Sequence, residues 1–543
     1  MSSVSHERGL LPAALRPTTL FGCLLAGLGV VGCYKPDDGR EPPLERIYFP
    51  TGVALSADGN RLYVANSDWD LQFNAGSVQV YDALRLRERL PRYCDSDADC
   101  ASGAERCDLQ ASTDANGLGR AATHWCVDAT AGDPCAGLGQ QTAAERSTSP
   151  GLCAPLDNRD SALLLGSVRV GAFATNLLYR PNPAGGGRLF VPVRSDATLH
   201  WLDVGGAAGG SELDCGQGSS GECDESHRRG DSLAEATVDG DELPIEPFGV
   251  DASGDGTAIV VTHQTEGEVS LFVNDWSTPT EGPRLSFILG DLPLRPAWVS
   301  AVPVPEVAAL DRLSPSRQLG YRPGFWLGYR GQPFVTLLRY FDTVDSPDGV
   351  PYLESAFADR VTTTGTSDIR NMAVDDSARL RCEAACGGAP ACLVECAGVG
   401  LDVYLSNNVP ASLLMGHTTT MRRGEVQNDR LQISDALALD AGAGRVVLGD
   451  IIDLSGQPAR RVFVASFDTR TLTIYDPSAG AIEARVRTGR GPSAVAVDSA
   501  NGLAYVTHFT DSYIGIVDLD KRHATYGSII RALGEPTPPR GDD

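Results

Sequence analysis

The chain is 543 residues long, carries 45 basic against 70 acidic residues for a formal charge of −25, and is 42% hydrophobic. That apolar content supports a buried core, while the negative balance excludes nucleic-acid or anionic-membrane binding through a basic face. Sixty Gly and 34 Pro among many short β-branched and aromatic runs point to an all-β, loop-rich fold.

In chain order, Arg8 and Arg16 precede an apolar run from Leu20 to Val31. It is too short and wrongly flanked for a spanning helix, so residues 1–32 predict a secretory signal. The run ends in Val30-Val31-Gly32-Cys33, which resembles the bacterial lipobox. The resemblance implies a lipoprotein: cleavage before Cys33, acylation of that cysteine (as by palmitate) and membrane attachment. An ordinary signal with an incidental cysteine is the alternative. Each buried acyl methylene contributes ~0.8 kcal/mol, so several chains anchor stably. Tyr34, not Asp, follows Cys33, which implies the outer membrane, facing the periplasm or the cell surface. Residues 33–43 are polar and Pro/Asp/Gly-rich, a flexible tether, and residues 44–543 remain for the fold.

There a pattern of three short strands separated by Gly, Asn, Asp and Ser recurs seven times. Innermost strands are expected around Gly52, Asn176, Gly249, Trp298, Asn371, Asp435 and Ala494; second strands end at Asn66, Val193, His263, Tyr329, Asn407, Ser466 and His508. Third strands begin at Val78, Leu199, Val269, Thr336, Ser412, Leu472 and Ile514. Such a unit cannot bury both faces of its sheet alone, so the copies must stack around an axis.

The last copy is the clearest, with Asn501-Gly502 as a hairpin turn tolerant of positive φ. It resembles the YVTN-type β-propeller repeat at Pro492, Val495-Ala496-Val497-Asp498, Asn501-Gly502, Tyr505-Val506-Thr507-His508 and Ile516-Val517-Asp518, with His508 where the family carries Asn. The resemblance implies a seven-bladed β-propeller over residues 44–543. Ser528 to Leu533, followed by Gly534-Glu535-Pro536, predict that strands from the two chain ends share one blade and lock the ring.

Three insertions interrupt the repeats, at 84–165, 205–240 and 377–400. Beyond Cys23 and Cys33, twelve cysteines fall in even groups: Cys94, Cys100, Cys107, Cys126, Cys135 and Cys153; Cys215 and Cys223; Cys382, Cys386, Cys392 and Cys396. In an exported protein such groups are read as disulfides, with thiolate zinc sites as the alternative. Asp95, Asp97 and Asp99 match the start of a calcium loop, but its glycine and final glutamate are missing, leaving a solvated acidic loop. The two Cys-x3-Cys pairs of the third group put their thiols on helix faces either side of Gly387-Gly388-Ala389-Pro390, predicting a small disulfide-clipped helical hairpin.

No covalent-haem, zincin, nucleophile-elbow or phosphate-loop motif is present. At the axial mouth, Asn176, Asn371, Asp435, His263 and His508 are the candidates for a ligand or metal site, with Arg194 and Arg330 one step beyond. The expected function is a non-catalytic binding or assembly scaffold for envelope proteins or glycans, without a cofactor. The alternative is a divalent-metal-dependent lactonase or hydrolase, in which lactonase-type propellers imply Ca2+ held at the mouth. Against both stands the bland reading, that the polar residues ending the second strands cap turns.

Overall fold

The computed structural model describes residues 39–537 apart from 101–102, 111–122, 131, 136, 142–150, 206–211, 219–220, 231–241, 279–280, 306–321, 362–367, 424–425 and 524. The expected signal, Cys33 and the start of the expected tether lie outside the described residues. Among the described residues, seven antiparallel sheets of four or five strands follow one another along the chain, each from one stretch, and a two-stranded ribbon, Glu105–Gln110 with Thr123–Asp128, lies in the first insertion. Their inner strands are Pro50–Leu55, Leu178–Pro181, Pro247–Ala252, Pro296–Val302, Ile369–Asp375, Ala443–Ile452 and Pro492–Asp498. Each inner strand packs against the next, and the first against the seventh, so the protein is a closed seven-bladed β-propeller.

Seven buried apolar clusters lie one at each blade interface. Between the first and last blades, Val53, Leu62 and Val64 meet Ala494, Leu503 and Ile516. Because middle strands are covered on both faces, they read as apolar runs with little alternation; Ala258–His263 and Leu503–His508 are buried at every position. A fully buried Val, Leu or Ile contributes roughly 1.5–3 kcal/mol, and that gain requires a neighbouring blade.

Ring closure differs from the expectation. No blade is shared between the chain ends: the first and seventh are each complete in themselves. The first insertion makes the join instead. Leu152 and Leu156 donate to the carbonyls of Ile530 and Ala532 at 2.9 and 2.8 Å, adding an edge beside the outer strand Ile529–Leu533 of the seventh blade. Arg531, 2% exposed, donates to the main-chain carbonyls of Ala154, Arg89 and Leu138. On the inner side Ser493 Oγ donates to Pro50 O at 2.8 Å. The polar, cysteine-rich insertion conceals this edge pairing in sequence because its apolar residues are few and widely spaced.

All twelve cysteines pair, as Cys94–Cys107, Cys100–Cys126, Cys135–Cys153, Cys215–Cys223, Cys382–Cys396 and Cys386–Cys392. The carboxylates of the acidic loop cap backbone: Asp97 accepts from Cys107 N, and Asp99 from Asp95 N and Ser96 N. Helices Ser377–Cys386 and Pro390–Cys396 form the predicted hairpin, ending the first helix at Gly387 with φ 56°. It leaves the fifth blade between its first two strands, on the face opposite the mouth. Among the described residues no helix is long and apolar enough to cross a membrane.

Candidate ligand-binding mouth

A repeated turn builds the mouth. In six blades the residue before or near the start of the inner strand has left-handed φ: Phe49, Phe173, Glu246, Arg295, Gly442 and Gly491. Its carbonyl accepts the N–H of the residue just past the second strand. The same bond recurs in every blade, from Ser67, Arg194, Gln264, Arg330, Asn408, Phe467 and Phe509, at 2.7 to 3.2 Å. These seven donors all line one axial cavity of about 520 Å³. One side chain per blade is thus aimed at the axis by backbone geometry alone.

Strand alternation explains what the second-strand column does. The residue one step earlier points into the blade. Asn66 accepts from Tyr48 N at 3.0 Å and donates to Ser77 Oγ and Gln79 Oε1. Asn407 likewise accepts from Asp368 N and donates to Pro410 O. His263 Nδ1 faces Ile245 O at 3.2 Å and its Nε2 faces Ser270 Oγ at 2.8 Å. His508 stacks on Tyr513 with centroids 4.1 Å apart. Burial pushes His263 down to about 4 and His508 to about 3. Both histidines are buried in their blades and outside the lining of the mouth, in the slot where asparagine caps the turn.

Asp435 also lies elsewhere. It is exposed on Val426–Ala438, the outer strand of the fifth blade, paired with Met415. The 13-residue third and fourth strands of that blade lengthen the repeat, so Gln432 to Ala436 mimic an inner strand one element too early. The sixth blade's true inner strand places Gly444 and Arg445 at the cavity.

Asn176 and Asn371 do reach it. Asn371 Oδ1 accepts Val446 N at 3.1 Å, tying the fifth blade to the sixth. Asn176 Oδ1 accepts from Arg445 Nη2 at 2.8 Å, a bond from the sixth blade to the second. Among the described residues, four arginines line the cavity against one carboxylate, the exposed Asp468. Arg194 pairs with Glu246 at 2.6 Å and Arg370 with Asp368 at 2.7 Å. Arg330 and Arg445 have no carboxylate partner among the described residues. Burial, then the neighbouring Arg370 and Arg194, lower the pKa of Arg330, and burial lowers that of Arg445.

The wall is asymmetric. Trp69, Phe467 and Phe509 line the first, sixth and seventh blades' side, with Phe509 5.9 Å from Trp69 and 6.0 Å from Phe467. Leu71, Ile245, Leu294 and Val409 stand exposed in loops on the same face. The His, Cys, Asp and Glu groups close enough to hold a cation among the described residues are two cysteine triads, Cys94/Cys100/Cys126 and Cys386/Cys392/Cys396, already committed to disulfides.

No family model and no curated protein matches the chain. Solved structures are similar to it over most of their length. The periplasmic gluconolactonase PpgL of Pseudomonas aeruginosa is 10% identical, with 81% of this chain and 86% of that one covered at a TM-score of 0.41. Hydrazine synthase of Kuenenia stuttgartiensis is 12% identical over 88% and 98%, at 0.43. The β-propeller domain of Cps50 (Swd1) from Myceliophteria thermophila is 8% identical over 87% and 98%, at 0.44. At these identities the likeness concerns architecture alone.

Arg370, Arg445, Trp69, Phe467 and Phe509 were absent from the sequence-derived site. For Phe467 and Phe509 the available signal was positional, the residue after the second strand and a step from the column chosen; Arg370 and Arg445 lie on inner strands and Trp69 in the loop after the first blade's second strand.

Proposed function

We propose that this is a YVTN-type propeller of the cell envelope, lipid-anchored in the outer membrane through Cys33, which binds a glycan or envelope protein without catalysis. The observation that carries the reading is the mouth itself, where one side chain from every blade converges on a single cavity with aromatic and cationic sides. Such concave sites with a few placed polar groups are the usual seats of small ligands. The competing metal-dependent lactonase reading needed Asp435, His263 and His508 at that mouth; of its five residues, Asn176 and Asn371 line it.

A glycan array probed with the full chain tests the proposal. Trp69→Ser at the mouth should reduce binding, whereas Leu454→Ser on the opposite face should leave it unchanged. Loss from the Leu454 variant instead, or lactone turnover abolished by Asn371→Ala, would refute it. For the anchor, Cys33→Ala should release the protein from the membrane fraction, and its retention there would overturn lipidation.

A further inference from the structure

We propose that the mouth selects an acidic saccharide, with the sugar's carboxylate held by Arg330 and Arg445 and its apolar ring face against Trp69 and the phenylalanines beside it. This deepens the binding reading above and rests on it.

The charge distribution is the first ground. A chain with 25 more acidic than basic residues nevertheless collects four arginines on the wall of its axial cavity. Two are satisfied by Glu246 and Asp368. Arg330 and Arg445 make no contact ion pair among the described residues; Asp368 and Asp251 act on them only at longer range, burial lowers the pKa of both, and Arg330 also meets the repulsion of Arg370 and Arg194. A buried cation without a contacting counterion is costly, so an anion bound against these guanidinium groups is favoured. Guanidinium groups also match the planar, two-oxygen geometry of a carboxylate.

The second ground is the rest of the wall. Trp69 is 48% exposed and Phe467 41%, and both line the cavity. They offer ring faces to the C–H face of a sugar. Arg445 already donates to a neutral oxygen, Asn176 Oδ1, which fixes the guanidinium while leaving other N–H donors. With Asn371 Oδ1 occupied by Val446 N, the amide nitrogen of Asn371 is left as a donor for a hydroxyl. The 520 Å³ volume lies in the range of small-ligand sites.

Calorimetric titration of the full chain with a glucuronate-containing disaccharide, its neutral glucose counterpart and inorganic phosphate tests the proposal. The acidic disaccharide should bind at least tenfold more tightly than the neutral one. Arg330→Gln should erase that preference, and Arg330→Lys should restore part of it. Asp468→Ala, which removes the cavity's carboxylate, should strengthen acidic-sugar binding. Equal affinity for the two disaccharides, or a preference that survives Arg330→Gln, overturns the inference while leaving a binding mouth. Phosphate binding as tightly as the acidic sugar in the wild type would reduce the site to a bare anion site and also overturn it. Absence of any sugar or glycan binding, with Trp69→Ser silent on the array, would remove the underlying binding reading as well.

Discussion

Arg531 is the test of how the ring is closed. Its guanidinium, buried at the outer edge of the seventh blade, donates to three main-chain carbonyls of an insertion that belongs to the first. Hydrogen bonds to charged donors are worth about 1.5–3 kcal/mol each, about 4.5–9 kcal/mol for the set. Burial opposes this: it lowers the guanidinium's pKa to about 10, a cost of about 3 kcal/mol. Arg531→Met keeps the hydrophobic stem and loses the donors, so the join should weaken by about 2–6 kcal/mol. Hydrogen exchange reads this directly at Leu152, Leu156 and Gly534, whose amides bridge the two segments. Their exchange should accelerate at least ~30-fold, while amides of the third and fourth blades stay protected. Unchanged protection at the three bridging amides would refute this account of closure.

Asp68 is 2% exposed, and burial, with Asp70 beside it, raises its pKa to about 8. The native state therefore keeps a proton that the unfolded chain releases near pH 4, so stability falls as pH rises from about 4 to about 8. Asp68→Asn should remove that fall, measured as denaturant midpoints at pH 5 and pH 9; parallel behaviour of variant and wild type would contradict it. His263 and His508 titrate in the opposite sense. Their depressed values mean that the unfolded chain takes up protons first, and stability is lost as pH falls from about 6.5 towards 4. A His263→Asn/His508→Asn variant should lose less between pH 7 and pH 4.5. Peptide mapping without reductant should recover the six cystine pairs named above, and a free thiol among those twelve cysteines would overturn the fully paired state and count against the proposed export.

The repeat, its copy number, the even cysteine groups and the clipped helical hairpin were all legible in the chain. Each is a local matter: hairpin turns such as Asn501-Gly502, β-branched runs and i, i+4 spacing act between residues close in sequence. Registers drifted where the spacing did. The long hairpin of the fifth blade displaced Asp435 by one element, and period-two alternation meant that choosing His508 over Phe509 exchanged the blade interior for the cavity wall. Tertiary structure alone decided that Arg445 crosses from the sixth blade to Asn176 in the second, and that Leu152 to Leu156 edge the seventh. Those contacts join residues hundreds of positions apart, and their geometry depends on where a closed ring puts each blade, which no local pattern encodes.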